Sequence, residues 1–401
     1  MKYLVLLCDG MADYHKGPLN DKTPMQLAHK PNIDFCAAHG EVGTIKTVAD
    51  GFKPGSDVAN LAVMGYNPEL YYSGRSPLEA ASIGIELSST DIASRCNIVT
   101  LSDEDDYSQK TMIDYCADDI STAEADVLIK FLEEKLSEED LHFYTGVSYR
   151  HCLVLKNALG GSFEATPPHD ILDRKITEYL PENKRILELM KKSYELLKDH
   201  PVNLKRIEKG LRPANSIWIW GSGNKKEMPS FKSKFGLDGA VISAVDLIKG
   251  IGKLTEMKVC EVEGATGYID TNFEGKADAA IKTFKEGTDL VYLHVEAPDE
   301  CGHRFEAQNK IRAIELIDEK ILSKVKAYLD STNDNYKIMI LPDHATPLCL
   351  KTHVSDPVPF VIYEKYNEID SGVKSVNEDT AAETKIYVNE GYEIMSRFIK
   401  K

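Results

Sequence analysis

The sequence predicts an α/β protein with a largely parallel sheet flanked by helices and an inserted α+β domain. Near both chain ends, short apolar runs rich in β-formers alternate with longer helical patterns, as expected when parallel strands are joined by helical crossovers. In the middle the pattern changes to charged amphipathic helices and short strands separated by polar stretches. The length of 401 residues leaves room for both parts, since a domain takes ~100–200 residues.

Tyr3 to Cys8 reads as a fully buried strand, and Asp289 to Val295, Lys337 to Leu341 and Val358 to Tyr363 repeat the pattern in the last third. Between two of these runs, Ile311, Ile314, Ile317, Ile321, Val325 and Tyr328 recur at steps of three and four, which predicts a helix closing a β-α-β crossover. In the middle, Ser121 to Leu136 and Glu182 to Leu197 read as amphipathic helices, and His151 to Leu155 and Ser216 to Trp220 as short strands. The insertion is placed at 86–235, leaving 1–85 and 236–401 as one discontinuous domain.

Hydrophobic residues at 42% and charged residues at 28% are ordinary globular usage, which excludes a disordered chain. The formal charge of -16 repels nucleic acid and anionic membrane, so an anionic ligand needs a locally basic pocket. The N-terminal apolar run stops at Asp9, too short for a bilayer span or a secretory signal. The eight cysteines are scattered without a C-x-x-C pair; they read as reduced, mostly buried thiols of a cytoplasmic protein.

In open α/β sheets, ligands gather at the carboxyl ends of the strands. Here Asp9-Gly10 follows the first strand. Asp299 and His303 follow the second of these runs, and Asp343-His344 the third, with His353 shortly after. Singly, each is an ordinary loop residue; Asp9-Gly10 is also a turn dipeptide. Together they form a mixed carboxylate and imidazole set, which suits Mn²⁺, Zn²⁺ or Co²⁺, whereas an all-oxygen set would suit Mg²⁺ or Ca²⁺. Asp299 and His303, four residues apart, can meet one ion in a single turn. Asp343 and His344 either serve one ion each or share one through a bent loop.

A dimetal centre acts on phosphoryl groups and needs an attacking group. Ser56 follows Lys53-Pro54-Gly55 and opens an apolar helix through Leu61, Ala62 and Met64, where free amides favour an anion; the same position also suits a capping serine. Among the arginines, Arg75, Arg95, Arg150 and Arg212 stand beside Gly, Cys, His or Pro in stretches of low charge. Lys191-Lys192 and Lys205-Arg206, in contrast, read as solvated helix faces. Each of these arginines suits a structural ion pair or an anionic ligand equally. His169-Asp170, after Thr166-Pro167-Pro168, is either a turn or a pair that orients hydroxyls.

Blocks along nearly the whole chain resemble the cofactor-independent (2,3-bisphosphoglycerate-independent) phosphoglycerate mutases of archaeal type, within the alkaline phosphatase superfamily. They are VLLCDGMAD, PGSDVANLAVMGY, GRSPLEAASIGI, RCNIVT, SYRHCLVL, TPPHD, ANSIWIWGSG, GATGYIDTNFEGKA, HVEAPDECGH and LPDHATP. The resemblance implies an alkaline-phosphatase-like fold and two divalent cations, Mn²⁺ first, with Mg²⁺, Co²⁺ or Zn²⁺ as substitutes. It implies no need for 2,3-bisphosphoglycerate. One ion would be held by Asp299, His303 and His353, the other by Asp9, Asp343, His344 and the hydroxyl of Ser56. Ser56 would carry the phosphoryl group between the 3- and 2-hydroxyls of glycerate. Arg75, Arg95, Arg150, His169, Asp170 and Arg212 would bind the small phosphorylated substrate. Gly74 to Ser82 reads GRSPLEAAS where such mutases commonly read GRGPFEAAG. Bacterial members with a leucine in this block resemble a homoserine kinase, which is therefore an alternative activity, as is a metal-dependent phosphohydrolase.

Overall fold

The structure, a computed structural model, describes residues 1–158, 160, 161, 163 and 165–400. The chain forms two compact units, one of residues 1–72 with 228–401 and one of residues 73–227. The strands β1 (Lys2–Cys8) and β2 (Glu41–Ile45) belong to the first unit. The second unit contains β3 (Ile92–Leu101), β4 (Met112–Asp114), β5 (Leu141–Val147), β6 (Arg150–Leu155) and β7 (Ser216–Asn224). The chain then returns to the first unit with β8 (Gly239–Ile242), β9 (Lys258–Cys260), β10 (Leu290–Val295), β11 (Tyr336–Leu341), β12 (Val358–Glu364) and β13 (Tyr387–Val388).

In the first unit these strands form an 8-stranded sheet in the order β13-β2-β12-β11-β1-β10-β8-β9. The run from β11 to β9 is parallel, while β12 is antiparallel to both β11 and β2. Every residue of β10 and β11 is buried, as is β1 from Tyr3 onward, so both sheet faces are covered and the strands read as continuous apolar runs. The register decides where the chain leaves the sheet. Cys8 lies opposite Val295 and Leu7 opposite Leu341, so Asp9, Glu296 and Pro342-Asp343 emerge at one level.

The crossover from β10 to β11 carries the helix expected from the isoleucine spacing. It runs as α-helix over Ala307–Leu316 and Ser323–Ser331, with a π-helical stretch over Ile317–Leu322 between them. The stretch has a structural use. Its buried Asp318 accepts from the Ile33 amide at 2.7 Å and from Asn32 Nδ2 at 2.8 Å. It thereby serves the first turn of helix Pro31–Ala38, whose N-cap Lys30 makes no side-chain capping bond.

The second unit has a 5-stranded antiparallel sheet in which β3 pairs with β4, β6 and β7, and β6 pairs with β5. Helices Thr122–Leu136 and Lys184–Leu197 pack their apolar stripes into its core with Ile98, Leu153, Ile217 and Trp218. This unit begins at Ser73 rather than near residue 86, because helix Ser76–Ser82 is tied to β7, where the Ser76 hydroxyl donates to the Gly221 carbonyl at 2.5 Å. Among the described residues, no helix is long and apolar enough to cross a membrane.

Candidate active site

The carboxyl ends of β1, β10 and β11 bring most of the proposed ligands together in the first unit. Asp9, Asp343 and His344 are buried. The ladder continues one residue beyond β1, with the Asp9 amide on the Val295 carbonyl at 3.0 Å, and this fixes the direction of the Asp9 carboxylate. Asp9 Oδ2 accepts from His294 Nε2 at 2.9 Å, whereas Asp9 Oδ1 is buried with no partner. Gly10 has φ +61°, and a Cβ there would lie 2.6 Å from Asp299 Cα, so the turn requires glycine twice over. Asp343 is held on both oxygens. The Gly10 and His344 amides donate to Oδ1 at 3.3 and 3.0 Å, and Asn60 Nδ2 donates to Oδ2 at 2.8 Å.

The second group is less enclosed. His303 Nε2 lies 3.2 Å from Asp299 Oδ2, and His353 Nε2 lies 3.4 Å from Asp299 Oδ1. The two imidazole nitrogens face each other at 2.9 Å. His303 Nδ1 donates to the Lys351 carbonyl at 2.9 Å, and its hydrogen bond to Asp299 raises the His303 pKa to about 9, so without a cation Nε2 also carries a proton and donates to Asp299. His344 joins the two groups. Its Nε2 is 3.2 Å from Ser56 Oγ, 3.5 Å from Asp343 Oδ2 and 3.6 Å from Asp9 Oδ1, and its ring stacks on His353 at 4.0 Å between centroids.

The two groups shift their carboxylates in opposite directions. Burial, then the carboxylates of Asp343 and Asp299, push Asp9 well above the usual carboxylate range. Burial pushes Asp299 the same way, but hydrogen bonding by His303 and His353 overrides it and holds Asp299 well below that range. An unpartnered buried carboxylate oxygen beside facing imidazole nitrogens is the donor chemistry of a divalent metal site. The ligand atoms of Asp299, His344 and His353 lie within 4.8 Å of one another, as do those of Asp9, His294 and Asp343.

Ser56 is the first residue of helix Ser56–Val63, and the cap position falls on Gly55. Its hydroxyl is therefore not spent on capping and faces His344. Asn60, one turn on, donates to both the Ser56 carbonyl at 2.9 Å and Asp343 Oδ2, and its Oδ1 accepts from the buried Tyr292 hydroxyl at 2.6 Å. The helix is thereby locked to β10 and to the loop after β11.

In the second unit a different chemistry is assembled. Glu79 bridges two guanidiniums, taking Arg75 Nε at 2.8 Å and Arg95 Nε at 2.9 Å. Arg95 lies over the Trp220 ring at 4.6 Å, because the β3–β7 register sets these residues opposite each other. His169 packs edge-on against Trp220 and Tyr115, and Arg150 lies over Tyr149, which in turn meets Tyr115. Burial lowers the His169 pKa, with Arg95 and Arg75 adding to the effect. Asp170 lies 3.7 Å from His169. Arg212 is engaged elsewhere, with Asp114 at 3.0 Å and Asp118 at 3.7 Å.

With this geometry in view, the likeness to known proteins is specific. The family model for 2,3-bisphosphoglycerate-independent phosphoglycerate mutase matches residues 37–203. The enzyme of that name from Methanosarcina barkeri is 47% identical over 403 residues, with 100% of each chain covered. The chain belongs to this family. A solved protein of Pyrococcus horikoshii matches this mutase-family chain with TM-score 0.81 at 28% identity, covering 99% of this chain and 96% of that one. The cofactor-independent phosphoglycerate mutase of Thermoplasma acidophilum shares the fold with TM-score 0.65 at 24% identity, covering 100% and 99%.

Several residues that shape these mutase-family clusters carry little local signal. His294, Asn60 and Tyr292 sit inside a strand or helix and read as packing positions, and Glu79 and Trp220 lie in the blocks GRSPLEAASIGI and ANSIWIWGSG without a recognisable ligand spacing. An imidazole in the otherwise apolar run Leu290–Val295 is the one anomaly that could have marked His294.

Proposed function

We propose that the chain interconverts 3-phosphoglycerate and 2-phosphoglycerate through a phosphoserine at Ser56, without 2,3-bisphosphoglycerate. The observation that carries this reading is the Ser56 hydroxyl, free of a capping role, 3.2 Å from His344 Nε2 at the edge of a carboxylate-imidazole cluster. In the first half-reaction Ser56 Oγ gives up its proton and bonds to phosphorus, the bond from phosphorus to the 3-oxygen breaks, and that oxygen takes up a proton. In the second, the 2-oxygen gives up its proton and bonds to phosphorus, the bond to Ser56 Oγ breaks, and Oγ takes its proton back. Asp299, His303 and His353 would hold one divalent cation, and Asp9, Asp343, His344 and Ser56 the other. Bound there, such ions neutralise phosphoryl oxygens and lower the pKa of a coordinated hydroxyl. The imidazole content favours Mn²⁺ or Co²⁺ over Ca²⁺.

Arg75, Arg95 and Arg150, with His169, are proposed to bind the carboxylate and phosphate of the substrate, to which planar guanidinium forks are matched. Arg212 and Asp170 belong to the same proposal, although Arg212 must exchange its aspartate partners to take part. We propose that the reaction takes place in the cytoplasm.

The kinase alternative rests on Leu78. This residue is 3% exposed, a packing position of helix Ser76–Ser82, and offers no contact that would recognise homoserine. The deciding experiment is phosphorus NMR of the Mn²⁺-loaded protein with 3-phosphoglycerate, and in parallel with homoserine and ATP. Formation of 2-phosphoglycerate without nucleotide is expected. Phosphohomoserine without any 2-phosphoglycerate would overturn the reading in favour of the kinase, and inorganic phosphate as the main product in favour of a hydrolase.

A further inference from the structure

His294 is a fully buried imidazole in the central strand β10, and the proposed transfer chemistry does not use it. Its surroundings define its tautomer. An ionised Asp9 carboxylate only accepts, so His294 Nε2 carries the proton, and Ser243 Oγ, which itself accepts from the Val245 amide at 2.9 Å, donates to His294 Nδ1, 3.1 Å away. Nδ1 is then the acceptor, and Nε2–H donates to Asp9 Oδ2 at 2.9 Å. The strand end is fixed as well, since the buried Lys276 donates to the His294 carbonyl at 2.9 Å. The outcome is a carboxylate used asymmetrically. One oxygen of Asp9 is held by the protein, and the other, buried and unpartnered, faces His344 Nε2 at 3.6 Å.

We infer that His294 is a positioning residue for Asp9: it ties down Oδ2 so that Oδ1 alone is presented to a divalent cation, and Ser243 keeps its ring in the donating tautomer. The inference rests on the two-cation reading above. Partners of this kind, hydrogen-bonded to a ligand rather than to the ion, orient the ligand before the ion arrives, and their loss typically weakens binding ~10–100-fold. A direct role for the ring as a third ligand is the competing arrangement, because the ligand atoms of Asp9, His294 and Asp343 lie within 4.8 Å of one another. The two differ in what a glutamine can replace. A glutamine amide can still donate to Asp9 from near the Nε2 position, but it cannot substitute for an imidazole lone pair.

The test is calorimetric titration of the metal-stripped full chain with Mn²⁺, alongside thermal unfolding of each stripped protein. Wild type is expected to bind two ions; binding of fewer would sink the two-cation reading itself, whatever the variants do. With two ions bound, His294→Leu is expected to weaken one site ~10–100-fold and leave the other unchanged, while His294→Gln stays close to wild type. Ser243→Ala, which frees the tautomer but keeps the imidazole, should weaken the same site by less than His294→Leu. If His294→Leu does not fold, His294→Gln and Ser243→Ala carry the test alone. Unchanged affinities in His294→Leu, or a His294→Gln site as weak as an imidazole ligand's removal would make it, overturn the inference. So does a Ser243→Ala protein with wild-type affinities at both sites.

Discussion

The two candidate clusters differ in how they are held. In the first unit, the proposed ligands leave adjacent parallel strands at one level, so backbone register positions them: Cys8 opposite Val295 and Leu7 opposite Leu341 place Asp9 and Asp343 before any side chain meets another. In the second unit, the arginines come from helix Ser76–Ser82 and strands β3 and β6, and side chains hold them, with Glu79 bridging Arg75 and Arg95 and Trp220 backing Arg95. A cluster fixed by backbone suits bond-making, where small displacements are costly. A cluster fixed by side chains suits grip on a substrate, which tolerates some adjustment. Substitutions in the first should therefore act on kcat and metal content, and those in the second on KM.

Ser56→Ala gives the largest expected effect. Removal of the attacking hydroxyl should lower kcat by roughly 10³-fold or more, with thermal unfolding and Mn²⁺ stoichiometry nearly unchanged, because its side chain makes no cap. Steady-state isomerisation and the absence of labelled phosphoprotein would be the measurements, and a folded variant with most of its activity would remove Ser56 from the mechanism. Next comes metal exchange. Chelation should abolish turnover, with Mn²⁺ or Co²⁺ restoring it better than Ca²⁺, and His303→Ala and His353→Ala should each lose one ion by elemental analysis. Full stoichiometry in both variants would break the assignment of the more open group.

Arg95→Lys keeps the charge but loses the fork that serves Glu79 and the face that lies over Trp220. A fall of roughly 10-fold in kcat/KM is expected, about 1.4 kcal/mol, carried mainly by KM. Glu79→Gln should move KM in the same direction. If either variant lowers kcat with KM unchanged, the division of labour between the clusters is wrong.

The same contrast governs how much the sequence reveals. Strands β1, β10, β11 and β12 are legible because a strand buried on both faces is a continuous apolar run, and the clustering of the candidate ligands at their ends is legible because polar residues directly after such runs have few packing reasons to be there. The helix after β10 is legible from its isoleucine spacing, but its π-helical stretch is not, and the partner of its Asp318, the Ile33 amide, is distant in the chain. His294 and Asn60 are hidden for a related reason. Each is identified by a partner hundreds of positions away, Asp9 and Asp343 respectively, and looks locally like part of a regular element. Glu79 and Trp220 are hidden because only the β3–β7 pairing and the fold of helix Ser76–Ser82 reveal what they touch.

The smallest expected effect tests stability rather than turnover, and it concerns the second unit alone. His151 is buried in β6; its Nδ1 accepts from the Gly146 amide at 3.1 Å, and its Nε2 has no partner. Burial pushes its pKa down to about 3, against the opposing pull of Asp126. The unfolded chain, with an ordinary imidazole near 6.5, takes up this proton first. The stabilisation that His151 lends by remaining neutral is therefore complete above the unfolded pKa and drains away as pH falls from about 6.5 toward about 3. Its slope cannot exceed about 1.4 kcal/mol per pH unit. His151→Phe should flatten the pH dependence of unfolding free energy between pH 7 and roughly pH 5. The lost acceptor for Gly146 adds a constant offset that does not change the slope. Denaturant melts at several pH values separate the two terms: an unchanged slope in the variant would show that other groups carry the acid sensitivity of this unit. An unchanged slope would also mean that water reaches the ring, which would make β6 less enclosed than the first unit's parallel strands.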